Sequence, residues 1–172
     1  MSPQLIIFTG LPGAGKSSVA EALARRLQVP IFAKDWLEAV LLQNGFAPAA
    51  DSRSGYLGYE MLTVLARRQL MFGQSAILDS VAGAESIRAR WRSLAAEFNA
   101  GWKVIECVCA DEELHRARLL SRQRGIPGWH ELTWADVERV RGYYVPWQEP
   151  RLVLDMSAAL EENIARALEY LR

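Results

Sequence analysis

Leu5-Ile6-Ile7-Phe8-Thr9-Gly10-Leu11-Pro12-Gly13-Ala14-Gly15-Lys16-Ser17-Ser18 is the stretch that decides the fold. Leu5 to Phe8 form a short continuous apolar run, as expected of a strand buried on both faces. Residues 10–17 then satisfy the pattern G-x-x-x-x-G-K-[ST] in full. From Lys16 onward Val19, Ala20, Leu23, Ala24 and Leu27 recur at helical spacing, so a helix is predicted over 16–27. Strand, glycine-rich turn and helix in that order make a phosphate cradle. Glycines let successive backbone N–H groups point into one concavity and let the chain approach phosphate oxygens closely. The helix N-terminus adds partial positive charge and unpaired donors. Gly10, Leu11, Pro12, Gly13, Ala14, Gly15, Lys16, Ser17 and Ser18 are therefore the expected contacts to the phosphates of ATP. Lys16 can bridge the β- and γ-phosphates, and Ser17 can coordinate Mg²⁺. A glycine turn without a ligand is the bland alternative, and the full pattern between strand and helix argues against it.

Downstream the two periodicities alternate. Short apolar runs at 30–33, 76–79, 104–108 and 152–154 read as strands, and helical spacing covers 36–43, 56–71, 85–98, 111–123, 134–144 and 158–171. Asp111 suits the N-cap of its helix. Residues 46–55, with Pro48, Asp51, Ser52 and Ser54, read as a loop, and 124–133 as a polar, glycine-containing segment. Strands alternating with helices imply an α/β fold, a parallel sheet covered on both faces, in one domain over 1–172.

The 172 residues are 51% hydrophobic and 23% charged, an ordinary globular balance. Twenty basic residues offset twenty acidic ones, which argues against a nucleic-acid binder relying on a broad positive surface. Cys107 and Cys109 share a strand face, where neighbours rarely reach disulfide geometry, so buried free thiols in a reducing cytosol are expected. His115 and His130 offer no metal-ligand spacing with them. No apolar run approaches ~20 residues, so a soluble cytoplasmic protein with no membrane partner is expected, as a monomer or homodimer.

Two aspartates stand at the carboxyl ends of predicted strands, the edge where open parallel sheets bind ligands. Asp79 closes Ala76-Ile77-Leu78, where a carboxylate supports Mg²⁺ directly or through water. Asp35 follows Phe32-Ala33-Lys34, where a carboxylate can accept an acceptor hydroxyl's proton and orient it for in-line attack. Either can also be no more than a helix N-cap. Further on, Arg116, Arg118, Arg122 and Arg124 fall within one predicted helix and its end, before a segment with the character of a lid. Phosphoryl transfer spreads negative charge over equatorial oxygens, which an arginine delivered on closure stabilises. Surface pairing with Glu112 and Glu113 is the alternative, worth little energetically. Arg88, early in its helix and near the binding edge, is a candidate substrate contact.

With these residues in place, the chain resembles the polynucleotide-kinase-like and zeta-toxin-like branch of the P-loop kinases, a group similar to chloramphenicol phosphotransferase, gluconate kinase and shikimate kinase. The marks are Gly10 to Ser17, Lys34-Asp35-Trp36-Leu37, Ile77-Leu78-Asp79-Ser80, Arg88 with Trp91, Gly101-Trp102-Lys103-Val104 and the arginines 118–124. The resemblance implies five parallel strands in the order 2-3-1-4-5 with a lid over ATP. It implies that Asp35 matches the catalytic base and that an arginine of 118–124 is the lid arginine, Arg122 and Arg124 both fitting, with Arg118 toward the nucleotide. Related kinases place acceptor-binding segments where 46–59 falls, so Trp36, Arg53, Tyr56 and Tyr59 are candidate acceptor contacts, or else aromatics packing a helix on the sheet. In the 5′-hydroxyl polynucleotide kinases an arginine follows the catalytic aspartate by three residues. Here that residue is Glu38, whose charge would repel a nucleotide phosphate. The expectation is an ATP- and Mg²⁺-dependent kinase for a small-molecule hydroxyl. Its rivals are a nucleotide-hydrolysing or nucleotide-binding regulatory protein and a nucleoside or polynucleotide 5′-hydroxyl kinase.

Overall fold

The computed structural model describes residues 2–46 and 52–172. Strands β1 (Gln4–Thr9), β2 (Ile31–Ala33), β3 (Ala76–Asp79), β4 (Gly101–Val108) and β5 (Leu152–Asp155) form one sheet in the order β2-β3-β1-β4-β5. Every pairing is parallel. Parallel neighbours need crossovers, which the helices supply. These are α1 (Lys16–Leu27), α2 (Lys34–Gln43), α3 (Ser52–Met71), α4 (Glu85–Glu97), α5 (Glu112–Ser121), α6 (Trp134–Tyr143) and α7 (Leu160–Tyr170).

Alternation along β1 shows why both faces must be covered. Leu5 and Ile7 enter one core with Leu62, Leu78, Trp91 and Val104. Ile6 and Phe8 enter the other with Val19, Leu23, Ile105 and Leu154. Each such side chain, fully buried, contributes about 1.5–3 kcal/mol, so the central apolar run anchors both layers. Its register levels the carboxyl edge: Phe8 lies opposite Asp79 and Ile105, and Ala33 opposite Asp79. The glycine turn, Asp79 and the start of α2 thus meet at one place.

Several boundaries differ from the sequence expectation, each for a packing reason. β4 begins at Gly101 because Gly101, Trp102 and Lys103 pair with Gln4, Leu5 and Ile6, and Trp102 Nε1 donates to Glu149 at 3.0 Å. α2 starts at Lys34, directly off β2, with Ala33 as its N-cap. α3 begins at Ser52, inside the segment read as a loop. α5 keeps Asp111 as N-cap, its Oδ1 accepting from Leu114 N at 3.0 Å, but ends at Ser121, with Arg122 already extended. Residues 47–51, with Pro48 and Asp51, and the side chain of Arg53 lie outside the described residues. Cys107 is buried, Cys109 is partly exposed, and both are free thiols. No helix among the described residues is long and apolar enough to cross a membrane.

Candidate active site

The glycine turn adopts a backbone that other residues resist. Gly10 has φ +132°, and a Cβ there would overlap the carbonyl of Cys107 where β1 leaves the sheet beside β4. Gly13 and Gly15 also lie in the left-handed region. Ala14 N donates to Leu11 O at 3.2 Å, and Lys16 Nζ donates to the same oxygen at 2.9 Å. Burial pulls the Lys16 ammonium down to about 8. The Asp79 carboxylate pulls it back up, and Arg122 and Arg124 press it down further.

One narrow cavity of about 50 Å³ gathers the predicted chemistry. Pro12, Gly13, Gly15, Lys16 and Ser17 line it from the turn, Ala33 and Asp35 from the β2–α2 junction, and Asp79, Ser80 and Val81 from the end of β3. Arg122, Arg124 and Leu132 close it from the segment between α5 and α6. Neither aspartate is a cap: Asp35 sits within the first turn of α2, and the helix after β3 starts only at Glu85, with Ala84 at its N-cap. Asp79 is buried. Arg124, itself nearly buried, is ion-paired to the Asp35 carboxylate.

The early end of α5 explains how both arginines arrive. On a helix, residues two apart diverge by about 200° around the axis. In an extended segment they point to the same side, and Arg122 begins such a segment. Arg118 stays on α5, outside the cavity, and donates to Met156 O at 2.5 Å beside the exit of β5.

Other expected contacts lie elsewhere. Ser18 is exposed. Gly10, Leu11 and Ala14 do not line this cavity but a second one of about 230 Å³, bounded by the end of β4, His115, Arg141 and Tyr144. Trp36 and Tyr56 are half-exposed and do not line the first cavity. Tyr59 packs against the core that holds Trp91, its hydroxyl accepting from Ala82 N at 3.2 Å. Burial pushes that hydroxyl well above its ordinary pKa. Arg88 corrects the sequence reading. It is fully buried, donates from Nε to Ala82 O at 2.7 Å and from Nη2 to Val145 O at 2.6 Å, and stacks on Trp147 at 4.0 Å. Its guanidinium holds the backbone after β3 rather than facing the cavity.

Glu38 is also not the free charge it looked to be. It is ion-paired to Lys34, Ser54 Oγ donates to its Oε1 at 2.8 Å, and Lys34 Nζ sits over the Tyr59 ring. The pair is neutral, so the repulsion expected from Glu38 is cancelled, but the pair supplies no net positive charge for a substrate phosphate. Sequence reasoning missed Ser80 as a lining residue, although it follows the strand-ending aspartate. Its hydroxyl is buried and lacks a hydrogen bond of good geometry.

A parallel sheet ordered 2-3-1-4-5, with the glycine turn leaving its central strand, is the fold of the P-loop kinases. The chain belongs to the AAA domain family, whose model matches residues 5–144. It is similar to a Chloroflexus aurantiacus J-10-fl protein provisionally classed as a kinase, with 26% identity over 100% of both chains and a TM-score of 0.78. A gluconokinase from Sinorhizobium meliloti 1021 shares the fold at 20% identity, over 98% of this chain and 91% of that one, with a TM-score of 0.72. The Mycobacterium tuberculosis APS kinase in complex with AMPPNP and APS does so at 20% identity, over 99% and 98%, with a TM-score of 0.73. No curated protein matches the sequence.

Proposed function

We propose that this protein is an ATP- and Mg²⁺-dependent phosphotransferase that moves the γ-phosphoryl group to a hydroxyl of a small-molecule acceptor. The observation that carries the reading is the convergence of Lys16, Ser17, Asp35, Asp79, Arg122 and Arg124 on one cavity at the carboxyl edge of the sheet. Backbone N–H groups of the turn receive the phosphates, and Lys16 exchanges its bond to Leu11 O for phosphate oxygens. Asp35 takes the acceptor's hydroxyl proton as that oxygen bonds to the γ-phosphorus and the bond to the bridging oxygen of ADP breaks. Arg122 and Arg124 stabilise the charge spread over the transferring oxygens.

Ser17 and Asp79 offer one hydroxyl and one carboxylate to Mg²⁺, which fits an ion that otherwise keeps waters and phosphate oxygens. The ion would neutralise developing charge. A cavity of about 50 Å³ is far below the ~300 Å³ of ordinary ligand pockets, so segment 122–133 acts as a lid that opens for nucleotide. On entry of the acceptor, Arg124 leaves Asp35 and turns to the phosphoryl group. The neutral Lys34–Glu38 pair, the zero net charge and the small-molecule kinases among the structural neighbours support a small acceptor over nucleic acid. We assign Arg118, which donates to Met156 O beside the exit of β5, to the nucleotide's base rather than its phosphates. The free thiols suit the cytoplasm.

The test is acceptor-stimulated ADP release across hydroxylated metabolites, antibiotics and nucleosides, with Asp35→Asn as control. One acceptor should stimulate the wild type and not the variant. Equal stimulation of both would remove Asp35 from the chemistry.

A further inference from the structure

The two cavities are lined by different residues of the glycine turn, Pro12, Gly13, Gly15, Lys16 and Ser17 in the first and Gly10, Leu11 and Ala14 in the second, which His115 also lines. We infer that His115 is a positioning residue of the phosphate cradle: its imidazole fixes the Pro12 carbonyl and thereby aims the Gly13 N–H at the nucleotide. This rests on the reading of the turn as a nucleotide site. His115 Nε2 lies 2.7 Å from Pro12 O, across 103 positions of sequence. A carbonyl only accepts, so Nε2 carries the proton. In a planar trans peptide C=O and N–H point in opposite directions. With the Pro12 carbonyl held toward His115, the N–H of the same peptide unit, that of Gly13, faces the catalytic cavity, which Gly13 lines.

The contact is built. His115 is only 3% exposed, and its ring meets Trp134 of α6 edge-on, with centroids 5.1 Å apart at 82°. A Cβ on Gly13 would come within 2.9 Å of Leu119 Cδ1 and 3.2 Å of His115 Nε2, so the turn is seated directly on α5. α5 is also the helix that leads into Arg122 and Arg124. One side chain therefore ties the cradle to the base of the arginine segment. The turn's other bonds from Ala14 N and Lys16 Nζ both go to Leu11 O, within the turn itself.

Calorimetry with MgAMPPNP and with magnesium pyrophosphate tests this on the whole chain, the second probe reporting phosphate contacts without the base. His115→Leu should weaken both by about tenfold, the equivalent of one buried hydrogen bond. His115→Gln, whose amide nitrogen can occupy the place of Nε2, should recover affinity to within about threefold of wild type. Leucine binding both probes as tightly as wild type, or glutamine as weakly as leucine, would overturn the inference. A merely structural role would lower Tm and leave the affinity of the folded variant unchanged. If the leucine variant does not fold, nitrogen NMR of the wild type decides. A proton on Nε2 whose exchange slows with MgADP is expected, and a neutral ring protonated on Nδ1 alone overturns it. A wild type that binds neither probe would instead remove the nucleotide reading itself.

Discussion

The two walls of the candidate active-site cavity are made differently. Lys16 and Ser17 sit on α1 and Asp79 ends β3, where it shares a register position with Phe8 of β1. Arg122, Arg124 and Leu132 sit on a segment without helix or strand. Arg124 N donates to Glu131 Oε1 at 3.0 Å within it, and the bond from Gln43 Nε2 to Pro127 O and the Arg124–Asp35 pair tie it to the rest of the molecule. A rigid wall needs no reorganisation when charge develops. A wall held by a handful of side-chain bonds can open and close. On the proposed function the fold divides labour: the sheet edge would hold the nucleotide, and the arginine segment would complete the site.

Arg124→Ala should break that division most severely. We expect kcat to fall by about 10³-fold while MgAMPPNP affinity changes by about threefold or less; an equal loss in both would make Arg124 part of the holding wall. Asp35→Asn should lower single-turnover transfer by about 10²-fold or more, again with nucleotide binding intact.

Proton linkage sharpens the cradle's side. The Lys16 ammonium is held at about 8 in the free protein, and bound polyphosphate favours its charged form. Affinity should be full below that pH and fall by up to about tenfold per unit above it. For the protein without nucleotide the sign reverses: the folded state binds fewer protons at Lys16 than the unfolded state between about 8 and the ordinary lysine value of 10.5, so this residue's contribution to stability rises with pH across that window. MgADP titrations across the range, repeated with Lys16→Met, should show the dependence disappear.

Arg88→Met gives the smallest functional effect. Loss of donors to buried carbonyls should lower Tm by roughly 4–10 °C and leave nucleotide affinity and acceptor KM unchanged. A raised KM would return Arg88 to the binding site.

Sequence reading located the residues that local pattern brings together. The cradle is contiguous from Leu5 to Ser17, Asp79 ends an apolar strand and Asp35 follows one by two residues, so the sheet's edge was foreseeable before its neighbours were known. It failed where tertiary contacts choose. Arg118 and Arg122 look like one helix face, but α5 stops at Ser121, which separates them and pairs Arg122 with Arg124 instead. Arg88 sits at the right edge in sequence, yet the loop after β3 turns its carbonyls inward and captures the guanidinium. Glu38 carries a visible charge, and only the helical spacing to Lys34 reveals its partner. His115 carries no signature of its own, and Ser80 reads only as the neighbour of Asp79: the tertiary fold brings the one to Pro12 and the other to the cavity wall.

The most direct test of the cradle is calorimetric titration of MgAMPPNP, near pH 7, into wild type and Lys16→Ala. Saturable one-to-one binding by the wild type, weakened at least about tenfold in the variant, is the expected result. A wild type that gives no saturable heat would contradict it.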